Sequence, residues 1–595
     1  MIAGLVTALA FTGAVVFAVP GRPIDRENIR LHRTNAFVDH TNRFSYLNPP
    51  PTVDLGYAIH EATLNETGHY FNFSNIRYGA APIGDLRFKA PIAPTVIDRT
   101  VNDGQRPSVC AQAYPVWPMV AGEFMEGASQ SELEHVNSQI DPMLASMKID
   151  TIDSMGEPDL RQTEDCLFLD VIVPDQIFHG DRRAPVLVWV GGDGFVIGEK
   201  NQDAATLIAQ SQADGGEGVV FVSINYRLGI FGFLSGSTFN QQDGVSNAGL
   251  LDQRLAFEWV QKNIHLFGGD PARVTVMGQS AGAGSIMHHI TAYGGTNGPA
   301  PFSQAIIQTP SFAPIARDEP QVALYESILT KAQALIGPHI TDVAALRNLD
   351  FETLASLNRI IVAASPYGTF TFGPTVDGSF VPKLPGTLLD EGAFDTNVKV
   401  MVSHNSAEGF FFTSPLVTTE EILTEHVKAS FPTADEATLE DLLQNVYPPI
   451  YDGSYPYDIP FERLSLILEE VFFTCNTRYL NVAFQNQGYA YYFDVRPAIH
   501  GTDIYYTFFN GDTQGIYEEV LPVLPDVATA MQKYITNFAM STEGNPNGRG
   551  LPFFPRYQSN STNLVINERG VGAVMTDTTA NPRCDWVLHN FLPKI

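Results

Sequence analysis

The residue whose surroundings point most directly to chemistry is Ser280. It stands in Gly278-Gln279-Ser280-Ala281-Gly282, after the short apolar run Val274–Met277 and before a stretch of helical character. A G-x-S-x-G pentapeptide between strand and helix is a nucleophile elbow: its glycines permit a tight turn that pushes the serine hydroxyl outward. The helix start beyond it favours negative charge nearby. The pentapeptide alone is weak evidence, because Gly and Ser are common; its placement between strand and helix gives it weight.

A serine hydroxyl is unreactive at neutral pH without a base, and the base needs an acid to orient it. In the strand–elbow–helix arrangement these follow in the order Ser, then Asp or Glu, then His. His288 and His289 lie too close behind the elbow to return to its exposed face and read as ordinary helix residues. Downstream stand His339, His404, His426, His500 and His589. Only His500 follows a strong strand pattern, 489–495, and sits in a loop with Pro497 and Gly501. For the acid, the run 398–403 reads as a strand, and Glu408 comes just past its end. The residues by themselves favour this pair without making it unique.

These side chains need a frame that brings distant loops together. Runs 184–190 and 218–225 are apolar and β-branched, as buried parallel strands are, and 250–264 repeats apolar residues at helical spacing. Strand, helix and strand alternating along one chain predicts an α/β fold with a large, mostly parallel sheet flanked by helices. No linker or repeat divides the 595 residues. Residues 51–595 are therefore expected to form a single catalytic domain after an N-terminal extension, 19–50.

Composition excludes several classes. Charged residues make up only 17%, and 35 Lys plus Arg against 65 Asp plus Glu leave a net charge of −30. Nucleic acid is a poor partner for such a chain, since affinity there rests on cations that neutralise phosphates. Anionic membranes are disfavoured in the same way, whereas neutral substrates are not. Residues 1–18 form an apolar run ending Val16-Phe17-Ala18, which fits a secretory signal although the charged n-region is missing; an uncleaved anchor is the alternative. Sequons at Asn65, Asn72 and Asn560 accord with secretion and glycosylation. The four cysteines, Cys110, Cys166, Cys475 and Cys584, form no C-x-x-C pair, so no metal site is expected, and an even count suggests two disulfides in one of three pairings.

Residues 111–165 differ from the rest: eleven acidic residues against two basic ones, and five of the twelve methionines. Leu133, Val136, Ile140, Leu144 and Met147 recur every three or four residues. Ser131 with Glu134 reads as a capping box, and Pro142 as the end of one short helix and the start of a second. An amphipathic, Met-rich flap suits a mobile cover over an apolar pocket, and a surface excursion packed permanently on the core is the alternative.

Taken together these motifs resemble the type-B carboxylesterase/lipase family, the cholinesterase-like branch of the α/β-hydrolases, and look closest to its secreted fungal lipase-like members. Segment 267–282 (FGGDPARVTVMGQSAG) is similar to the family's nucleophile signature and 164–174 (EDCLFLDVIVP) to its second signature. The similarity continues through 78–91, 225–234, 247–253 and Cys584-Asp585-Trp586, so it covers roughly residues 50–590. The resemblance implies Ser280 as nucleophile, Glu408 as triad acid and His500 as base, with disulfides Cys110–Cys166 and Cys475–Cys584. It also implies that the first disulfide tethers a lid-like insertion, 111–165. No cofactor is implied.

One departure stands out. Trp189-Val190-Gly191-Gly192-Asp193-Gly194-Phe195 aligns with the family's oxyanion turn, normally three glycines before an aromatic residue. The implied donors are the backbone N–H groups of Asp193, Gly194 and Ala281. A carboxylate ~5 Å from a developing oxyanion opposes it by ~3 kcal/mol at an effective dielectric of 20, comparable to losing one donor. Asp193 is therefore expected to point away, to be hydrogen-bonded or protonated, or to slow the enzyme. Gln279, where cholinesterases carry Glu, removes an attraction for cationic substrates. The expected function is a secreted serine hydrolase, lipase or carboxylesterase, acting on a neutral ester or lipid, with transient contact to a lipid interface conceivable. The competing reading is an inactive recognition or adhesion protein on the same fold.

Overall fold

A computed structural model describes residues 50–149, 159–512 and 522–595; the signal segment, most of the N-terminal extension and Met155 lie outside the described residues. The strands are β1 Thr52–Asp54, β2 Ile59–Glu61, β3 Thr63–Asn65, β4 Tyr70–Arg77, β5 Val101–Asn102, β6 Phe168–Pro174 and β7 Ala184–Val190. They continue as β8 Val220–Ile224, β9 Gly269–Gln279, β10 Gln304–Gln308, β11 Lys399–Asn405, β12 Tyr489–Asp494, β13 Thr562–Asn567 and β14 Gly570–Thr576.

Eleven of them form one sheet in the order β14-β13-β12-β11-β10-β9-β7-β8-β6-β4-β3; β1, β2 and β5 form a small separate sheet. From β8 to β13 the neighbours run parallel. The two margins are antiparallel.

The apolar runs form central strands because both faces of the sheet are covered. Every residue of β7, β8 and β10 is buried. Side chains alternate between faces, so Val186, Val188 and Val190 enter one core with Ala305, Ile307, Val400 and Val402. Leu187, Trp189, Met277, Ile306 and Met401 enter the other. Helices Ala248–Asn263 and Ala281–Ile290 cover the first face, and Ala205–Gln212 and Pro525–Met540 the second. Parallel strands all end on one side, and the loops leaving β7, β9, β11 and β12 carry Asp193, Ser280, Glu408 and His500. In open α/β sheets this is the edge where ligands bind.

Both disulfides pair as the resemblance implied. Cys110–Cys166 and Cys475–Cys584 join residues 56 and 109 apart in sequence, and no described cysteine is free.

The insertion departs from its expected layout. Helix Gln130–Ser146 runs unbroken through Pro142 and begins at Ser129, whose amide donates to Glu132 Oε2 at 2.8 Å. The S-x-x-E pattern occurs twice, two residues apart, and the earlier copy starts the helix. Pro142 is exposed, and the Ser138 carbonyl that loses its donor lies on the same solvent face, where water can replace it. The apolar stripe faces inward: Leu133 and Met147 are buried, and Met147 packs with Ile360 and Ala363. A preceding helix, Pro118–Met125, was not foreseen. Trp117 at its start packs among Tyr367, Phe370, Phe411 and Phe412 and donates from Nε1 to the Thr369 carbonyl at 2.8 Å.

Candidate active site

Ser280 sits at the turn between β9 and helix Ala281–Ile290, with φ 56° and ψ −128°. A non-glycine residue rarely adopts this region, and here neighbouring backbone holds it. Its amide donates to the Gln308 carbonyl at 3.0 Å, and its carbonyl accepts from Gly284 at 2.8 Å and Ser311 at 3.1 Å. The glycines on either side are sterically required. A Cβ at Gly278 would lie 2.7 Å from the Gly282 carbonyl carbon, and one at Gly282 would lie 2.2 Å from the Val190 oxygen. The helix therefore approaches the strands closely, and the turn brings both the serine hydroxyl and the Gln279 amide, whose Nε2 lies 3.5 Å from His500 Nε2, to the imidazole.

His500 Nε2 lies 2.7 Å from Ser280 Oγ, and its Nδ1 lies 2.6 Å from Glu408 Oε2. Three residues 92 to 220 positions apart thus form one continuous hydrogen-bonded row. Two loops hold it in register. The Ser406 amide donates to Phe493 O and the Ala407 amide to Ala498 O, both at 3.0 Å, while Asn405 Nδ2 reaches Ile499 O at 2.8 Å. Phe412 and Phe473 flank the imidazole, with ring centroids 5.2 and 4.8 Å away.

Glu408 is fully buried, and its second oxygen is also satisfied: Oε1 accepts from Thr309 Oγ1 at 2.7 Å and from the Asn405 amide at 2.5 Å. A buried carboxylate keeps its charge when hydrogen bonds replace the lost water. Two neighbouring carboxyls behave differently. Burial, reinforced by the Glu408 charge, pushes Asp503 up to about 7 and Glu469 up to about 8. Thr309, Asn405, Asp503 and Glu469 were not picked out from the sequence. Asp503 lies three residues after His500 and could have been weighed on that ground; the others are joined to the site only by folding.

At the other side of Ser280 lies the 191–195 turn. A Cβ at Gly192 would come within 2.6 Å of the Gln279 oxygen, and one at Gly194, whose φ is +67°, would enter the Phe370 ring. Those two positions demand glycine. Asp193 has φ 65°, a left-handed conformation that Asp tolerates better than most residues. Its side chain is half-buried and accepts no hydrogen bond among the described residues. Burial pushes its carboxyl up to about 6, against the opposing pull of nearby His500. The amides of Asp193 and Gly194 likewise donate to no group among the described residues, and that of Ala281 is one of the free N–H groups of a helix start. Of the three outcomes expected for Asp193, hydrogen bonding does not occur within the described chain, and the upward shift of its carboxyl is in the direction of protonation.

His288 and His289, set aside in the sequence, are buried on the far side of the elbow helix, each against a phenylalanine ring. No cluster that could hold a metal ion occurs among the described residues.

The model of the carboxylesterase family matches residues 59–586. The chain belongs to the carboxylesterase family. It is 37% identical to the carboxylesterase patB of Penicillium expansum over 90% of this chain and 95% of that one. It is 30% identical to lipase 2 of Diutina rugosa, over 84% and 89% of the two chains. A crystal structure of EstA from Aspergillus niger superposes with TM-score 0.73 at 24% identity, over 92% and 99%. That likeness shows the fold, an α/β-hydrolase. Membership of this family, with carboxylesterase and lipase relatives, supports ester hydrolysis as the chain's activity.

Proposed function

We propose that this carboxylesterase-family chain is secreted and hydrolyses neutral carboxylic esters through an acyl-enzyme on Ser280. His500 Nε2 takes the Oγ proton as Oγ attacks the ester carbonyl, and a tetrahedral intermediate forms. The amides of Asp193, Gly194 and Ala281 receive its oxyanion. The imidazolium, steadied by Glu408, then gives its proton to the departing alkoxide, leaving an acyl–Oγ ester and a free alcohol. Water, deprotonated by His500, attacks this ester, and the carboxylic acid leaves as Ser280 recovers its proton. The observation that carries the reading is the unbroken row Ser280 Oγ, His500, Glu408 at 2.7 and 2.6 Å. A fluorophosphonate probe should label the folded protein, and Ser280→Ala should abolish both labelling and turnover. Labelling that persists in Ser280→Ala would remove Ser280 from the mechanism.

Insertion 111–165 serves as the cover of the acyl site in this reading. Trp117 carries it onto Phe370, Phe411 and Phe412, beside the triad histidine, which favours apolar acyl groups. Turnover of short and long acyl esters, below and above the micelle concentration, separates lipase from small-ester esterase. A rise above that concentration marks a lipase; short-chain preference without a rise marks an esterase. Secretion is supported by relatives such as secreted lipase 1 of Botryotinia fuckeliana, 28% identical over 87% of this chain and 89% of that one. No helix among the described residues is long and apolar enough to cross a membrane. Asn65 and Asn560 are exposed and suit glycan attachment. Asn72 lies half-buried within β4, paired with Thr63 and Ile172, with Oδ1 enclosed. We therefore leave it out of the proposed glycan sites.

A further inference from the structure

Directly behind the triad acid lies a second histidine that the mechanism above does not use. His404, on β11, is 2% exposed, and its Nε2 faces Asp577 Oδ1 at 3.4 Å, itself 1% exposed. Nδ1 lies 3.1 Å from the Asn405 carbonyl oxygen. Both partners are acceptors. A carbonyl oxygen has no proton to give, so Nδ1 must carry one. Burial raises the Asp577 carboxyl, but the donors around it outweigh this and hold it at about 2. Two of those donors, Tyr557 and the Thr579 amide, are independent of His404 and favour the carboxylate, so it too has no proton to give. Tyr557 Oη donates to its Oδ2 at 2.8 Å and the Thr579 amide to its Oδ1 at 2.9 Å. With protons on both ring nitrogens, the imidazole is a cation. The Asp577 partnership, assisted by the Glu408 charge, raises the His404 pKa in spite of complete burial.

The position of this cation matters. His404 precedes Asn405, whose amide donates to Glu408 Oε1 at 2.5 Å. The groups that face His404 are Asp577 beyond β14, Glu408 past β11, Glu469 at the end of helix Pro460–Glu469, and the Tyr492 ring of β12, 5.2 Å away. Tyr557 reaches it only through Asp577. Its surroundings thus hold several carboxyls, and His404 is the cation among them.

We propose that protonated His404, kept charged by Asp577, is a positioning residue for the reaction: it supplies a buried positive charge behind Glu408 that holds the carboxylate aligned on His500. A cation behind Glu408 opposes protonation of both Glu408 and His500. Its removal therefore moves the acid limb of kcat/KM to higher pH.

The inference rests on the ester-hydrolase reading, and the test separates the two. Wild type, His404→Gln and Tyr557→Phe are compared as full-length protein on one p-nitrophenyl ester across pH 5 to 9, with fluorophosphonate labelling as the check for folded active sites. Wild-type protein without turnover would overturn the ester-hydrolase reading itself. In His404→Gln the acid limb should move up by roughly half to one pH unit, with kcat affected more than KM. Tyr557→Phe, which removes a hydrogen bond of Asp577 but no charge, should leave the limb in place. Should His404→Gln fail to fold, Asp577→Asn carries the same expectation, because burial neutralises an imidazole without its anionic partner. An unmoved limb in a labelled His404→Gln or Asp577→Asn protein, or an equal shift in Tyr557→Phe, would overturn the inference.

Discussion

The two ends of the proposed catalytic row, the acid and the oxyanion turn, are built on opposite principles. At the acid end, Glu408 is completely buried, and His500, Thr309 and the Asn405 amide bond its two oxygens. At the oxyanion end, the Asp193 carboxyl is half-buried, has no bonding partner among the described residues, and rises to about 6. One carboxylate is surrounded by hydrogen-bond partners; the other stands in a place that makes its charge costly. The contrast teaches that burial alone does not set the state of an acid in this site. The donors around it do.

The largest effect belongs to the residue between the two ends. His500→Ala should lower kcat by at least ~10⁴-fold with little change in thermal stability, read from steady-state kinetics and a melting curve. Glu408→Gln keeps the shape but removes the charge and should cost roughly 10³-fold in kcat. A loss under tenfold would mean that the buried acid is not an orienting group. Asp193→Asn goes the other way: removing an anion that opposes the oxyanion should raise kcat by ten- to about a hundredfold, as ~3 kcal/mol at ~5 Å allows. The gain should be greatest above pH 6, where the wild-type carboxyl is ionised, and should shrink as pH falls through about 6 and the group protonates. A fall in kcat would show that the carboxylate has taken on a role of its own. Thr309→Val removes one hydrogen bond to a charged group and should cost about tenfold or less.

How much of this could be seen in the chain itself differs between the two ends. Ser280 is legible because an elbow has a local signature: glycines at −2 and +2 and a strand before them. Asp193 is legible for the same reason, as an interruption of a glycine run. Glu408 and His500 were reachable because each follows a recognisable strand. Their supports were not, because Thr309, Glu469 and Asp577 come from elements that only the sheet order brings together. The parallel sheet was visible in its unbroken apolar runs. The insertion's helix was placed two residues late, because two S-x-x-E patterns overlap and nothing local chooses between them. Pro142 reads locally as a break, although a proline whose lost donor lies on a solvated face can remain in a helix. Asn72 carries a sequon that only folding places half-buried inside β4.

The smallest expected effect lies away from both ends. His60 and His288 are buried, with neither ring nitrogen partnered among the described residues, and burial lowers them to about 4 and about 3. Both are neutral when folded, so the unfolded chain binds more protons below ~6.5. Their contribution is complete above that pH and is lost progressively as pH falls toward 4 and 3. His60→Leu should flatten the decline of Tm between pH 6.5 and 4.

The proposed mechanism requires a covalent ester on Ser280 during turnover. Acid-quenched protein, taken in the steady state with a p-nitrophenyl ester and examined by intact-mass and peptide mass spectrometry, tests it most directly. A mass increase equal to the acyl group, located on the peptide containing Ser280 and prolonged in Glu408→Gln, is the predicted result. Turnover without an adduct, together with an active Ser280→Ala, would contradict it.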